Sequence, residues 1–324
     1  MKKWLKRIGI GVLVAILVAC AIAYVRFTQW RNEVTKNIER DSTVVQTAKG
    51  PIEYAELGQG PAVLMIHGTP GGYDQTYQIL KVDNSGKGDL RYIIPSRPGY
   101  LRTPLSVGKT PKEQAEAFAA LLDALKIDKV AVLGGSGGGP SAIEFAALYP
   151  DRCKALILEE AVSMPVEEPQ PSFLEAAIKN TVGNDFSVWL IMDQFTARLQ
   201  ATDPKDSKIT AITTAIFNST VPSASREAGA QNDAAQFAKI SALPLANIRC
   251  PTLILQGTAD RNVPMAHAEF SHAQIAGSQL VELPGEEHWM VITKHKELGQ
   301  LVHSFFVEHT SGDSVSQPQN TGQQ

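Results

Sequence analysis

The sequence predicts an α/β fold in which a mostly parallel sheet is flanked by helices. Short apolar runs typical of buried strands alternate with longer segments whose apolar residues recur at helical spacing. One such run, Val132–Leu133, enters a glycine-rich turn that is followed by the helical pattern Ser141–Leu148. The chain has 324 residues, of which 44% are hydrophobic, and this is enough to fill one large core and an insertion.

The first half of the predicted sheet contains a hairpin and two further strands. Val44–Gln46 and Ile52–Leu57 read as the hairpin, and Ala62–Ile66 and Tyr92–Ile94 as strands. Apolar residues at helical spacing predict a helix over Lys112–Leu125. Because these elements alternate as βα units, most of the strands are expected to run parallel.

The second half repeats the pattern after a long interruption. Ala155–Leu158, the run from Thr252 and Gln279–Leu283 read as strands, and an amphipathic helix is predicted from about Trp289 to Val307. About ninety residues separate the first two of these strands, which is too many for a simple crossover. We therefore predict a core formed by residues 43–162 and 246–309, with a helical cap inserted at 163–245.

The predicted cap is rich in large apolar residues that either line an apolar acyl pocket or pack the cap onto the core. These residues are Phe173, Leu174, Ile178, Phe186, Val188, Trp189, Ile191, Met192 and Phe195. Two weakly patterned stretches, Ala201–Ser207 and Ser219–Asp233, are predicted to be mobile connections.

Ser136 is the candidate nucleophile. It is the serine of a G-x-S-x-G sequence placed between a strand and a helix, a turn that lifts the hydroxyl above the sheet. Gly134 and Gly138 leave room for the strained backbone of this turn. The N–H of Gly137, at the start of the helix, is expected to face a developing oxyanion.

Asp260 and His288 are the candidate partners of this serine. A serine hydroxyl needs an imidazole to accept its proton and a carboxylate to orient that imidazole. Asp260 ends a buried-strand pattern, and His288 follows the last predicted strand in a loop. Glu159 and Glu160, which end the neighbouring strand, are retained as alternative acids, whereas the other six histidines lie in helical patterns, near the tail or in another motif.

A further loop, His67-Gly68-Thr69-Pro70-Gly71-Gly72, follows the strand that ends at Ile66. Gly68 and Thr69 are candidate oxyanion and substrate-binding residues, with the Thr69 N–H as the second donor beside Gly137. An ordinary Gly/Pro turn is the structural alternative.

With these motifs together, the chain resembles the α/β-hydrolase family, in particular the branch with an H-G-x-P loop and a helical cap. The segment Ser96-Arg97-Pro98-Gly99-Tyr100 is similar to the D-R-P-G-Y/F-G segment of such enzymes. Three positions depart from the family pattern: Ser96 replaces Asp, Leu101 replaces Gly, and Glu287 replaces Gly. Because related dehalogenases and epoxide hydrolases have Asp at the nucleophile position, Ser136 favours acyl chemistry.

The N-terminus predicts a membrane anchor or signal in residues 1–25. Four basic residues precede the apolar run Ile8–Val25, which is long enough to span a bilayer. The positive cluster would stay in the cytoplasm and place the hydrolase domain outside it. Two alternatives stay open: cleavage of a signal peptide after Ala23, and acylation of Cys20 in a lipobox-like sequence. Residues 26–42 are predicted to be a charged linker, and 310–324 a disordered tail.

The remaining composition excludes several classes of partner. A formal net charge of −3 gives no electrostatic basis for nucleic-acid binding. No spacing of Cys and His predicts a metal site, and no cofactor is expected.

The resemblance implies that Cys153 and Cys250 precede two neighbouring parallel strands, so their sulfurs are expected to lie close, as free thiols or as a disulfide.

The expected reaction is acyl transfer from a small-molecule acyl substrate to water, with a carboxylic ester as the first choice. A proline iminopeptidase-like amide hydrolase is the enzymatic alternative, because those enzymes have a related H-G-x-P-G loop. Such an enzyme is expected to bind a substrate amine with cap carboxylates, and the sequence does not assign Glu167, Glu168, Asp185 or Asp193 to that task. A membrane-tethered binding module with a vestigial site is the non-enzymatic alternative.

Overall fold

In a computed structural model, which describes residues 2–83, 88–166 and 184–310, an eight-stranded sheet forms the centre of the fold. The strand order is β1-β2-β4-β3-β5-β6-β7-β8; β2 pairs antiparallel with β1 and β4, and the other neighbours are parallel. This confirms the mostly parallel α/β sheet. The strands are β1 (Thr43–Thr47), β2 (Gly50–Gly58), β3 (Ala62–Ile66), β4 (Arg91–Pro95), β5 (Val130–Gly135), β6 (Cys153–Glu159), β7 (Thr252–Gly257) and β8 (Gln279–Leu283).

Helices cover both faces of the sheet, and strands buried on both faces carry nearly continuous apolar runs, as β5 and β7 do here. The helices are α1 (Lys2–Ile38), α2 (Tyr73–Asp83), α3 (Pro111–Ala124), α4 (Gly139–Leu148), α5 (Asp185–Gln200), α6 (Ser207–Asn218), α7 (Glu227–Phe237), α8 (Ala266–Gln274), α9 (Met290–Thr293) and α10 (His295–Thr310).

The register of the central strands brings their carboxyl ends to one edge of the sheet. Gly135 of β5 lies opposite Glu159 of β6, which in turn lies opposite Leu255 of β7. Parallel α/β sheets bind ligands at this edge. Ser136 and Glu160 follow β5 and β6 directly, so the fold places both residues there.

The stretch Ser219–Asp233 was predicted to be a mobile connection, and this prediction is wrong. Helix α7 begins at Glu227, and Arg226 just before it is buried, with its guanidinium paired with Asp74 of α2 at 2.7 Å. Backbone hydrogen bonds also join this stretch to the core, from Leu101 N to Ser225 O and from Gly229 N to Gly99 O. The sequence pattern did not reveal these contacts because their partners lie far away in the chain.

Helix α1 does not end where the apolar run ends. It continues without interruption through the predicted linker to Ile38, whose carbonyl accepts a hydrogen bond from the Tyr73 hydroxyl. The segment Lys6–Ile38 contains a window long and apolar enough to cross a membrane, with none of that window buried. A helix of this kind at an N-terminus meets the criteria for a signal sequence as well as for an anchor.

Two further details differ from or extend the prediction. The helix expected over Trp289–Val307 is interrupted at Lys294, and the new helix starts with His295, whose buried imidazole lies 2.9 Å from Asp206. The sulfurs of Cys153 and Cys250 lie 3.6 Å apart as free thiols; Cys153 is the first residue of β6, and Cys250 lies two residues before its parallel neighbour β7. Of the predicted tail, residues 310–324, Thr310 is the buried last residue of α10, and residues 311–324 lie outside the described residues.

Candidate active site

Ser136 occupies a sharp turn between β5 and α4. Its φ of 47° lies in the left-handed region, which is strained for a residue with a side chain. The glycines around it are required by close packing: a Cβ on Gly134 would lie 2.5 Å from the Ala142 Cβ, and one on Gly138 would lie 2.5 Å from the Ile66 carbonyl oxygen. The local sequence therefore folds as a nucleophile elbow that exposes a hydroxyl above the sheet.

Ser136, His288 and Asp260 form one continuous hydrogen-bonded chain. The Ser136 Oγ lies 3.1 Å from His288 Nε2, and His288 Nδ1 lies 2.7 Å from Asp260 Oδ2. The Asp260 side chain is fully buried, whereas 16% of the His288 side chain is exposed. The three predicted residues thus meet at hydrogen-bond distance in the order hydroxyl, imidazole, carboxylate.

The Asp260 carboxylate is held rigidly by its surroundings. Its Oδ1 accepts the backbone N–H groups of Asn262 and Val263 at 2.8 and 3.0 Å, and Gln256 Nε2 lies 3.2 Å from Oδ2. Burial acts to raise the pKa of Asp260, but the hydrogen bonds from His288 and the two amides outweigh it and leave the pKa below its usual value. The carboxylate is therefore ionised and fixed beside the imidazole.

Two more carboxyl groups lie beside this chain. Glu160 Oε2 is 3.7 Å from His288 Nδ1, and Glu160 Oε1 is buried with no hydrogen-bond partner among the described residues. Burial raises the pKa of Glu160 to about 10 and that of Glu159 to about 7. Asp260, at 2.7 Å, is the closer acid, and the alternative acids proposed from sequence adjoin the same imidazole as a second layer.

Glu160, Asp260 and His288 form the one group in the described part of the chain whose ligand atoms lie close enough to hold a metal ion, within 4.8 Å of one another. Their hydrogen bonds fit a relay better than a metal site. Both Asp260 oxygens already accept hydrogen bonds, and the two imidazole nitrogens face Asp260 and Ser136. We propose no metal or cofactor here.

The loop after β3 packs directly on the elbow. A Cβ on Gly68 would lie 3.1 Å from the Ser136 Cβ, and a Cβ on Gly137 would lie 2.3 Å from the Thr69 Oγ1. Of the predicted oxyanion and substrate-binding residues, Gly68 therefore lies against Ser136, and Thr69 lies against Gly137, the residue that follows this serine.

The Thr69 side chain contacts a residue of the predicted cap. Asp233 of α7 accepts a hydrogen bond from the Thr69 hydroxyl, and its two oxygens bind the Arg97 guanidinium at 2.8 and 2.5 Å. The Arg97 and Asp233 side chains are only 1% and 3% exposed. No sequence signal points to this pair, because its members are separated by 136 residues and Asp233 lies in a segment without a motif.

Arg97 also fixes the histidine of the same loop. Its backbone N–H donates to His67 Nε2 at 2.9 Å, and its Nε donates to the His67 carbonyl. The His67 Nδ1 lies 2.7 Å from the Gly68 carbonyl. Burial and the Arg97 charge hold the pKa of His67 well below its ordinary value, so this histidine is a neutral structural residue.

A cavity of about 430 Å³ opens beside Ser136 and His288. Val166, Ile216, Thr220 and Phe237, all within the predicted cap, are part of its wall. None of the described aromatic and aliphatic cap residues proposed for an acyl pocket lines it; Phe195, for example, packs on Phe217 and Trp289. Phe173, Leu174 and Ile178 lie outside the described residues.

The three residues that depart from the family pattern have different surroundings. Leu101 adopts a φ of 50°, a conformation that favours glycine, and its N–H donates a hydrogen bond to the Ser225 carbonyl oxygen. Ser96 is buried and donates to Glu53 Oε2 at 2.9 Å. The exposed Glu287 pairs with Arg198 of α5 at 3.2 Å.

Comparison with known proteins agrees with this architecture. Residues 61–295 match the sequence profile of the alpha/beta hydrolase fold. An uncharacterized hydrolase of Bacillus subtilis, YcgS, is 28% identical over 274 residues, which cover 79% of this chain and 95% of that protein. The 2-hydroxy-6-oxo-2,4-heptadienoate hydrolase of Pseudomonas putida is 26% identical over 257 residues, covering 77% of this chain and 90% of that protein.

Among solved structures, an alpha/beta hydrolase fold protein from Nakamurella multipartita superposes with a TM-score of 0.68 at 32% sequence identity, covering 84% of this chain and all of that one. The profile match extends over most of the chain, and these relatives are named as hydrolases or as proteins of this fold. The chain therefore belongs to the alpha/beta hydrolase family and is a hydrolase of that fold.

Proposed function

We propose that this protein is a membrane-anchored serine hydrolase that cleaves uncharged carboxylic esters through an acyl-enzyme. The observation that carries the proposal is the hydrogen-bonded chain from Ser136 Oγ through His288 to Asp260 at 3.1 and 2.7 Å, next to a cavity. An imidazole oriented by an ionised carboxylate and touching a hydroxyl is the arrangement that activates a serine.

In the proposed reaction, His288 Nε2 takes the Ser136 proton while Oγ forms a bond to the ester carbonyl carbon. The N–H groups of Thr69 and Gly137 stabilise the oxyanion, and Asp260 stabilises the imidazolium. The tetrahedral intermediate collapses, the carbon–oxygen bond to the leaving group breaks, and His288 gives its proton to the departing alcohol. Water then attacks the acyl-enzyme by the same steps, which releases the acid and restores the serine.

The cavity favours an uncharged substrate. None of its described lining residues is Lys or Arg, whereas Asp83, Glu159 and Glu160 are part of the wall. A dienoate such as the one named for the Pseudomonas putida relative is an anion, and the described walls offer it no lysine or arginine as a partner. An ester also needs less help for its leaving group than a carbon–carbon bond or an amide does.

Helix α1 supports the anchored form. Its apolar window is fully exposed, and basic residues precede it at the N-terminus. The positive-inside rule then places the hydrolase domain outside the cytoplasm. Retention of the span, rather than cleavage or acylation at Cys20, is favoured because the helix continues past Val25 and packs on the domain.

The cap carboxylates do not favour the iminopeptidase alternative. Asp185 pairs with Arg31 of α1, and neither Asp185 nor the exposed Asp193 lines the cavity. Glu167 and Glu168 lie outside the described residues. A binding module without activity is disfavoured because no member of the proposed triad is missing.

The test compares the full chain with Ser136→Ala in detergent micelles on p-nitrophenyl esters with short and long acyl chains. We expect turnover by the wild type, loss of turnover in Ser136→Ala, and fluorophosphonate labelling of the wild type alone. Absence of both turnover and labelling would overturn the proposal. Labelling combined with turnover of a dienoate but no ester would assign a carbon–carbon hydrolase instead.

A further inference from the structure

We propose that the N-terminal half of cap helix α5 lies in the membrane interface, with Phe186, Leu190 and Ile191 facing lipid. This inference goes beyond the catalytic site and rests on the membrane anchoring proposed above. It names a bilayer surface as the partner of the cap.

The exposure of side chains changes along α1. From Ile8 to Val25 nearly every side chain is exposed, as expected for a helix that lipid surrounds. From residue 27 onwards the covered positions are Phe27, Thr28, Trp30, Arg31, Val34, Asn37 and Ile38, and each position from Trp30 on lies three or four residues after another of them. This is the spacing of one helix face, so the second part of α1 docks on the domain.

Helix α5 covers part of that face. The Phe27 ring lies 5.2 Å from that of Phe186 and 6.0 Å from that of Trp189, both on α5. Arg31 pairs with Asp185, the first residue of α5. The start of α5 is therefore fixed to α1 at the level of Phe27.

The length of the apolar run sets the depth of this contact relative to the bilayer. Residues 8–25 rise about 27 Å at 1.5 Å per residue, close to the ~30 Å hydrocarbon core of a bilayer. Phe27 lies two residues beyond this run, so it falls in the interfacial region. Trp4 precedes the run, and Trp30 and Trp189 follow it, which matches the enrichment of tryptophan at both membrane interfaces.

The surface of α5 is apolar at one end of the helix. Outside α1, the exposed large apolar residues in the described ranges number five, and three of them lie on α5: Phe186 at 38%, Leu190 at 52% and Ile191 at 37% exposure. The exposed residues further along this helix are mostly polar, among them Asp193, Gln194 and Arg198. An apolar half next to the span and a polar half beyond it fit a helix that enters the interface at one end.

The experiment measures depth in reconstituted full-length protein that carries Cys20→Ser. A bimane label is placed at Leu190→Cys, at the matched exposed position Ala197→Cys on the same helix, or at Lys129→Cys before β5, at the opposite edge of the sheet. The variant without an added cysteine gives the background from Cys153 and Cys250. All three positions are exposed, so the substitutions leave the packed core intact.

We expect lipid-borne nitroxide to quench the label at residue 190 at least about threefold more than at residue 129, because an interfacial helix buries its apolar face 5–10 Å deep. Quenching at residue 197 is expected to fall between the two. Equal quenching at residues 190 and 129, in protein that remains in the vesicles after a carbonate wash, would overturn this inference alone. Protein that the wash removes would overturn the anchoring as well, and neither readout depends on ester turnover.

Discussion

Replacing Asp233 by Asn removes one charge from a buried pair without changing the shape of the side chain. Arg97 would then keep a guanidinium that is 1% exposed and has lost its bidentate carboxylate. Breaking a buried pair by removing one partner costs about 3–5 kcal/mol. With an unfolding entropy of about 2.1 cal/mol/K per residue, each kcal/mol lowers the midpoint of thermal unfolding of a 324-residue chain by about 1.5 °C, so a loss of about 5–8 °C is expected.

The assay is thermal unfolding of the full chain in micelles, followed by circular dichroism. The double variant Arg97→Met with Asp233→Leu is the matched control, because it leaves no buried charge and should recover most of the lost stability. Ester turnover is measured at a temperature where every variant is folded. Both variants should hydrolyse the ester more slowly than the wild type, because Thr69 loses the carboxylate that accepts a hydrogen bond from its hydroxyl. An Asp233→Asn variant within about 1 kcal/mol of the wild type would refute the reasoning, because its stability change would lie well below the range for an unpaired buried charge.

Three further predictions concern the elbow and the acids around it. Asp260→Asn should lower kcat by up to about 10⁴-fold with little change in KM, because the amide favours the wrong imidazole tautomer; a loss of less than about tenfold would show that another group orients the imidazole. Burial raises the pKa of Glu160 from 4.5 to about 10, so the folded state holds a proton that the unfolded chain releases, and stability falls as pH rises between these values. Glu160→Gln should therefore gain stability relative to the wild type from acid to alkaline pH in parallel denaturant titrations, and a gain independent of pH would contradict this. Gly138→Ala should destabilise the fold by about 1–3 kcal/mol because its Cβ would lie 2.5 Å from the Ile66 carbonyl oxygen, whereas in Gly135→Ala the nearest neighbour lies at 3.8 Å; equal effects on denaturant midpoints would count against the close packing.

The sheet and the position of the candidate nucleophile could be predicted because their signals are local. An apolar strand, a glycine-rich turn and a helical pattern follow one another within about twenty residues around Ser136, and the turn needs glycine for steric reasons. Asp260 and His288 could be chosen because each follows a strand, and parallel strands bring their ends together.

Other features could not be predicted because they depend on contacts between distant segments. Asp233 looks like an ordinary polar residue of a weakly patterned segment until Arg97 and Thr69 are placed beside it. The docking of α1 on α5 likewise depends on Phe27 and Phe186, which show no pattern in common. The mobile connection predicted over Ser219–Asp233 was wrong for the same reason, since composition does not reveal a buried ion pair.

Different kinds of contact attach the two sides of the predicted cap, α7 and α5, to the core. On one side, Arg226 and Asp233 form ion pairs with the core that are almost fully buried, and breaking either costs about 3–5 kcal/mol. On the other side, the exposed pair Arg198–Glu287 between α5 and the loop that carries His288 contributes about 0–1 kcal/mol, and this side is held by the packing of Phe195 on Trp289 and by the buried contact of Asp206 with His295. Lifting the start of α7 would therefore leave fully buried charges without partners, whereas lifting α5 would mainly expose aromatic and aliphatic side chains.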